Sequence, residues 1–254
     1  MKGITKQPYK SDVFTVKQYG HIAKISYCKV VREAGWEEME TKAKKGTKNT
    51  EKLSNNLARA KSIVQELALC NPWDWWCTFT LNASKKDRFD LDSFVRDFGE
   101  FLHNYNRRCP DEHKVKYLLV PEQHKNGAWH MHGFIKGIKP EDIMKNEHGY
   151  LTWTKYNEKF GFISIERIKD IDRMASYILK YITKDISKGV GKLNKHSYYS
   201  SKGLERAEEL YRGSGELLTD WDWEHPDGYC KIKNVDLRTD SIYNHLEMYN
   251  YDFE

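Results

Sequence analysis

Apolar and polar positions alternate along residues 128–136, AWHMHGFIK, and this period of two predicts a β-strand. On such a strand His130 and His132 share one face and Met131 turns to the other. Looser alternation over residues 13–31 (Val13, Phe14, Val16, then Ile22, Ile25, Tyr27, Val30), broken by Gly20, predicts a β-hairpin. Trp75 to Leu81, Val115 to Val120 and Gly161 to Lys169 read as further strands, with others near 196–200 and 229–236. Helical spacing appears at Leu53, Leu57, Ala60, Val64, Leu67 and Ala68, giving a helix over 51–69 that Asn71 and Pro72 stop. Leu91, Phe94, Val95, Phe98, Leu102 and Tyr105 mark an amphipathic helix over 88–106, ended by Cys109-Pro110. Asp170 or Asp172 caps another, running to about Asp185. A further helix is expected around 203–212. Residues 41–52 are polar and basic and predict an exposed loop, whereas 140–160 carries no readable period.

Elements in this order make an α+β protein. The strand at 115–120 delivers Glu122 at its end, a turn follows at His124 to Gly127, and the histidine strand returns. One hairpin thus carries Glu122 on one arm and His130 with His132 on the other. The expected organisation is an amino-terminal hairpin and helix over 1–70, a core over 71–200 and an acidic extension over 201–254. Trp73, Trp75 and Trp76 can pack inward or stack on bases, and packing is the favoured reading beside a strand.

Charge sharpens this picture. The net charge of +5 hides an asymmetry: from residue 196 onward six Lys/Arg face thirteen Asp/Glu, a net of −7, which leaves +12 on residues 1–195. A basic body suits a polyanionic partner. The five cysteines, at 28, 70, 77, 109 and 230, show no CxxC and no paired spacing. Neither a disulfide framework nor a zinc knuckle is expected, and a cytoplasmic setting follows. The start, MKGITKQPYK, lacks the apolar core of a secretory signal, and no apolar run is long enough to span a bilayer. GVGKL at 189–193 fails the phosphate-loop pattern, so no nucleotide cofactor is expected.

Two imidazoles and a carboxylate are a donor set for a divalent metal with open positions, which is what a catalytic ion needs. Gln123 and His124 could replace or supplement Glu122. Downstream, YILKYITK at 177–184 sets Tyr177 and Tyr181 one helical turn apart, with Lys180 and Lys184 each three residues after a tyrosine. A phenol titrates near pH ~10, so an adjacent ammonium and a polarised phosphate would help it act as a nucleophile. A half-buried tyrosine with a snorkelling lysine is the plain alternative.

HMH at 130–132 and YILKYITK at 177–184, in that order, resemble the rolling-circle replication initiators of the HUH endonuclease superfamily, and FTLN at 79–82 resembles that family's first motif. The paired tyrosines are similar to the two-tyrosine initiators of single-stranded DNA phages and some plasmids. The resemblance covers about 75–185 and implies a ferredoxin-like (RRM-like) core with a central antiparallel sheet flanked by helices. It implies Mg²⁺ or Mn²⁺ held by Glu122, His130 and His132, with Tyr177 and Tyr181 as nucleophiles and Lys180 and Lys184 positioning or polarising. The product is a 5′-phosphotyrosine and a free 3′-OH on single-stranded or hairpin origin DNA. The chain shows no helicase motif, so a host helicase and polymerase are implied partners, in a bacterial cytoplasm. Residues 167–195 hold eight Lys/Arg and three acids, and Arg167, Lys169, Arg173, Lys188, Lys192 and Lys195 are candidate DNA-binding residues. Tyr198 and Tyr199 are candidates to stack on unpaired bases. A two-tyrosine transposase, a DNA-binding regulator with a degenerate nuclease site and a hydrolase of small phosphates are the competing readings.

Overall fold

The computed structural model describes residues 9–32, 50–107, 109–184, 196–214 and 230–242. The expected loop at 41–52 lies outside these residues as far as residue 49, and residues 50–52 open a helix. The 189–193 run also lies outside them. The protein is α+β, with antiparallel sheets flanked by helices. It divides into two compact units, residues 50–205 and residues 1–49 with 206–254. This grouping differs from a division at 70 and 200: the first helix falls with the central sheet, and the amino-terminal hairpin falls with carboxy-terminal strands.

In the unit 50–205, helix α1 spans Thr50–Cys70, strand β3 Trp75–Leu81, helix α2 Leu91–Asn106, β4 Lys116–Gln123 and β5 Trp129–Lys136. Strand β8 spans Gly161–Arg167, helix α4 Ile171–Lys184 and β9 Tyr199–Ser200. The sheet order is β8-β3-β5-β4-β9, antiparallel throughout, so the histidine strand is central. Residues 140–160, unreadable by period, hold β6 Ile143–Lys145, β7 Leu151–Trp153 and the short α3 Thr154–Lys159. Elements this short repeat too few times to leave a pattern.

Alternation along the strands sends side chains to two different layers. Trp75, Cys77, Phe79 and Leu81 of β3 join Trp129, Met131 and Ile135 of β5 on the face packed by α2. There Leu91, Phe94, Phe98 and Leu102 supply the stripe of α2. Asp90 caps that helix by accepting the Ser93 amide at 3.1 Å. The opposite neighbours, Trp76, Leu118, Val120 and Phe134, pack with Val64, Leu67 and Ala68 of α1 and Ala175, Ile178 and Ile182 of α4. Asp170 caps α4, accepting the Arg173 amide at 3.0 Å. The Trp cluster is core: Trp75 and Trp76 are buried, and Trp73 stacks on Phe134 with ring centroids 5.7 Å apart. Gly133 allows β4 to approach β5, because a Cβ there would lie 2.0 Å from the Leu118 carbonyl oxygen.

In the other unit, β1 Tyr9–Tyr19 and β2 Ile22–Arg32 form the expected hairpin around Gly20. They extend to β10 Glu208–Ser214 and β11 Cys230–Asp236 in the order β10-β1-β2-β11. Phe14, Val16, Ala23, Ile25, Tyr27 and Val235 form its core. Two expectations are corrected here. The helix expected around 203–212 is instead the strand β10 over Glu208–Ser214, because pairing with β1 and the contact of Tyr211 with Phe14 (centroids 5.7 Å apart) override local helix propensity. Cys28 and Cys230 form a disulfide at directly opposed positions of β2 and β11, 202 residues apart in sequence. Spacing along the chain could not show a pair that strand register creates. Among the described residues, no helix is long and apolar enough to cross a membrane.

Candidate active site

Strand register assembles the site. In β5, His132 lies between Thr78 of β3 and Val120 of β4, and His130 lies between Thr80 and Glu122. Glu122 therefore sits within β4 rather than beyond its end. Its Oε2 is 2.8 Å from His132 Nε2, and both side chains are buried. His132 Nδ1 is 3.2 Å from the Thr78 hydroxyl, and His130 Nδ1 is 3.2 Å from the Thr80 hydroxyl. Each imidazole is thus held from the β3 side through Nδ1. A hydroxyl both donates and accepts, so each threonine can serve either tautomer of its histidine.

Four rings stand nearly parallel along this face. His124 stacks on His130 at 3.9 Å between centroids and 16° between planes. His130 and His132 are 6.3 Å apart at 14°. Tyr181 stacks on His132 at 4.1 Å and 12°. The His124 Nε2 is 3.9 Å from the Glu122 carboxylate, at the edge of ionic contact. Burial, with the nearby His124 and His132, pulls the His130 pKa down to about 4 against the opposing pull of Glu122. His130 is therefore a neutral imidazole near pH 7, the form that can ligate a metal.

Both tyrosines lie on the face of α4 turned to the sheet end that carries the histidines. The Tyr181 hydroxyl donates to the Tyr177 oxygen at 2.8 Å. Burial first, then that hydrogen bond and the charges of Tyr177 and Glu122, hold the Tyr181 phenol well above its ordinary range. Trp76 packs against both rings, 5.6 Å from Tyr177 and 6.4 Å from Tyr181 between centroids. Tyr177 keeps 38% of its surface exposed. The Lys180 ammonium lies 5.2 Å from the centre of the Tyr177 ring.

Of the predicted site residues, Glu122, His130, His132, Tyr177, Tyr181 and Lys180 come together. Lys184 ends α4. Arg173 and Lys169 are exposed at the start of α4 and just before it. Arg167 is not with them: its guanidinium lies 4.7 Å from the Trp75 ring centre, and Trp75 belongs to the α2-side core. Lys188, Lys192 and Lys195 lie outside the described residues. Tyr199 pairs in β9 opposite Leu119 and is half-buried against the α2-side core, while Tyr198 packs against the α1/α4 layer. Sequence reasoning missed Thr78, Thr80 and Trp76 as members of the site. Their signal was present: they occupy alternate positions of a strand that must neighbour the histidine strand for its own Trp75–Leu81 pattern to be buried.

The donor set suits a divalent cation by type, two imidazoles and a carboxylate. Among the described residues, however, no three His, Cys, Asp or Glu side chains are gathered closely enough to hold an ion. Glu122 and His132 bond each other, so ion binding requires their shared proton to leave.

Residues 74–186 match a family model of replication-associated proteins, the ORF2 type. The matched stretch runs from the start of β3 to the end of α4 and contains every residue of the cluster just described. It supports a role in DNA replication as an initiator, and with it an interaction with DNA. No curated protein matches the chain, and no solved structure does.

Proposed function

We propose that the protein initiates replication by nicking single-stranded or origin DNA, using a tyrosine as nucleophile on a ferredoxin-like HUH core of the two-tyrosine type. The observation that carries this reading is the stacking of Tyr181 on His132, with Tyr177 hydrogen-bonded behind it and Glu122 bonded to the same histidine. A merely structural tyrosine pair would not need two imidazoles and a buried carboxylate beside it.

In this reading Glu122, His130 and His132 hold Mg²⁺ or Mn²⁺, which when bound would act as a Lewis acid on a phosphate oxygen. The chain's own groups do the rest. A tyrosine oxygen attacks phosphorus, the bond to the 3′-oxygen breaks, and that oxygen takes up a proton as the phenol loses one. The products are a 5′-phosphotyrosine and a free 3′-OH for a polymerase to extend. The hydrogen bond between the two phenols carries the proton of one toward the other, and Lys180 places a positive charge beside Tyr177. Two adjacent hydroxyls allow one to hold a strand while the other attacks for transfer and closure. Unwinding falls to a separate helicase.

Covalent capture tests this. The full chain is incubated with Mn²⁺ and labelled single-stranded oligonucleotides that include candidate origins, then denatured. We expect a protein–DNA band that needs metal, is lost with a chelator and disappears in the Tyr177→Phe/Tyr181→Phe double variant. A band lost in one single variant names the first nucleophile. DNA binding without a band on any origin-bearing substrate would favour the regulator reading instead.

A further inference from the structure

The loop between β3 and α2, residues 82–90, carries three cations, and they are treated differently. The Lys85 ammonium donates to the Asn157 carbonyl at 2.7 Å and the Glu158 carbonyl at 3.1 Å. Lys86 pairs with Asp97 at 2.6 Å. Arg88 makes no ion pair among the described residues, and its Nε is buried with no hydrogen-bond partner. The two acids beside it are engaged elsewhere: Asp87 accepts the Phe89 amide at 2.8 Å, and Asp90 caps α2.

Arg88 is also fixed beside the site. Its carbonyl accepts the Trp129 amide at 2.8 Å, immediately before His130. Phe89, whose ring centre is 5.8 Å from the guanidinium, lies over Gly127 of the β4–β5 turn. The positive charge is close enough to His130 to help keep that imidazole unprotonated. A guanidinium with a buried, unanswered N–H is costly by itself and is offset when an anion arrives. Its planar fork matches two oxygens of one phosphate.

We propose that Arg88 is a substrate-binding residue that takes a backbone phosphate of single-stranded DNA at the His130 end of the site, so that the strand runs past the histidines to the tyrosines. This rests on the nicking reading of the same site, but it makes a separable claim about binding.

The test is the salt dependence of binding a labelled mixed-sequence single-stranded oligonucleotide, in the Tyr177→Phe/Tyr181→Phe background so that no covalent step interferes. Arg88→Gln, Arg88→Lys and Arg96→Gln are compared, the last on α2 and away from the site. Arg88→Gln is expected to weaken binding about tenfold and to lower the slope of log K against log salt by about 0.7, the loss of one phosphate contact. Arg88→Lys is expected to keep the slope but lose part of the affinity, since it keeps the charge and loses the fork. Arg96→Gln is expected to stay within about twofold of its parent. Thermal melting checks that each variant is folded, and Arg88→Lys reports on the fork even if Arg88→Gln is not. Equal behaviour of the Arg88 and Arg96 variants, or no measurable binding by the parent, overturns the proposal. Covalent capture by the wild type is scored separately. Its failure with an intact Arg88 effect would remove the nickase and leave the phosphate subsite.

Discussion

The two faces of the five-stranded sheet are built from the same strands, yet one is a core and the other carries chemistry. On the α2 side, Phe79, Phe94, Phe98, Tyr156 and Phe160 meet edge to face, tilted or stacked, at 5.0 to 6.5 Å between centroids. On the α4 side, packing is apolar around Phe134 and turns polar at Thr78, Thr80, His130, His132 and Glu122. The difference teaches how a strand can be both scaffold and site. Inward residues of one face lock its position, which leaves the alternate residues free to be polar without losing register. Ile178 and Ile182 do the equivalent for α4, seating the helix so that Tyr181 meets His132.

Removing Phe98 breaks the comparison at its structural end and has the largest expected effect. Phe98→Ala should cost about 3–5 kcal/mol in urea-induced unfolding, because it empties the centre of the aromatic cluster. Covalent capture per folded molecule should be unchanged at low temperature. A variant that unfolds normally but loses capture would show that the α2-side face takes part in the chemistry.

Thr78→Val and Thr80→Val sharpen the comparison from the other side. Each removes one hydroxyl that orients an imidazole, so metal-dependent capture should fall about 10- to 100-fold. Stability should change by only about 1 kcal/mol. The corresponding serines should restore capture. Valine variants as active as the wild type would mean that the histidines need no such support.

The smallest expected effect concerns the outer surface of α2. The hydrogen bond from Lys86, aided by the charges of Lys86 and Arg96, holds the Asp97 carboxyl below its ordinary value against the opposing effect of burial. The folded protein therefore binds fewer protons here than the unfolded chain. The stabilisation is complete above the unfolded value of about 4 and is lost as pH falls through the lower folded value. Asp97→Asn should lower stability to urea at pH 7 by less than about 1 kcal/mol and remove that part of the acid dependence. A larger loss on acidification in the variant than in the wild type would reverse the assigned sign.

Much of this was legible beforehand, for particular reasons. The Trp75–Leu81 strand, the 91–106 helix and the HMH strand each carry a long period that only one conformation buries. Tyr177 and Tyr181 were placed together by helical arithmetic alone. The sheet position of 208–214 was not legible, because its residues favour a helix locally and only β1 makes them a strand. Arg167 looked like part of a basic patch by its place in sequence, but strand register turns it onto Trp75.

By itself, then, the sequence determined which side chains could do chemistry and which face of its own element each occupies, since strand and helix periods are local properties of the backbone. What only the tertiary structure decided is which of those faces meet. Thr78 stands against His132, Arg88 comes back beside His130, and Cys28 lies opposite Cys230 across 202 residues. Such pairings come from strand register and from the closure of the chain on itself, and no local spacing encodes them.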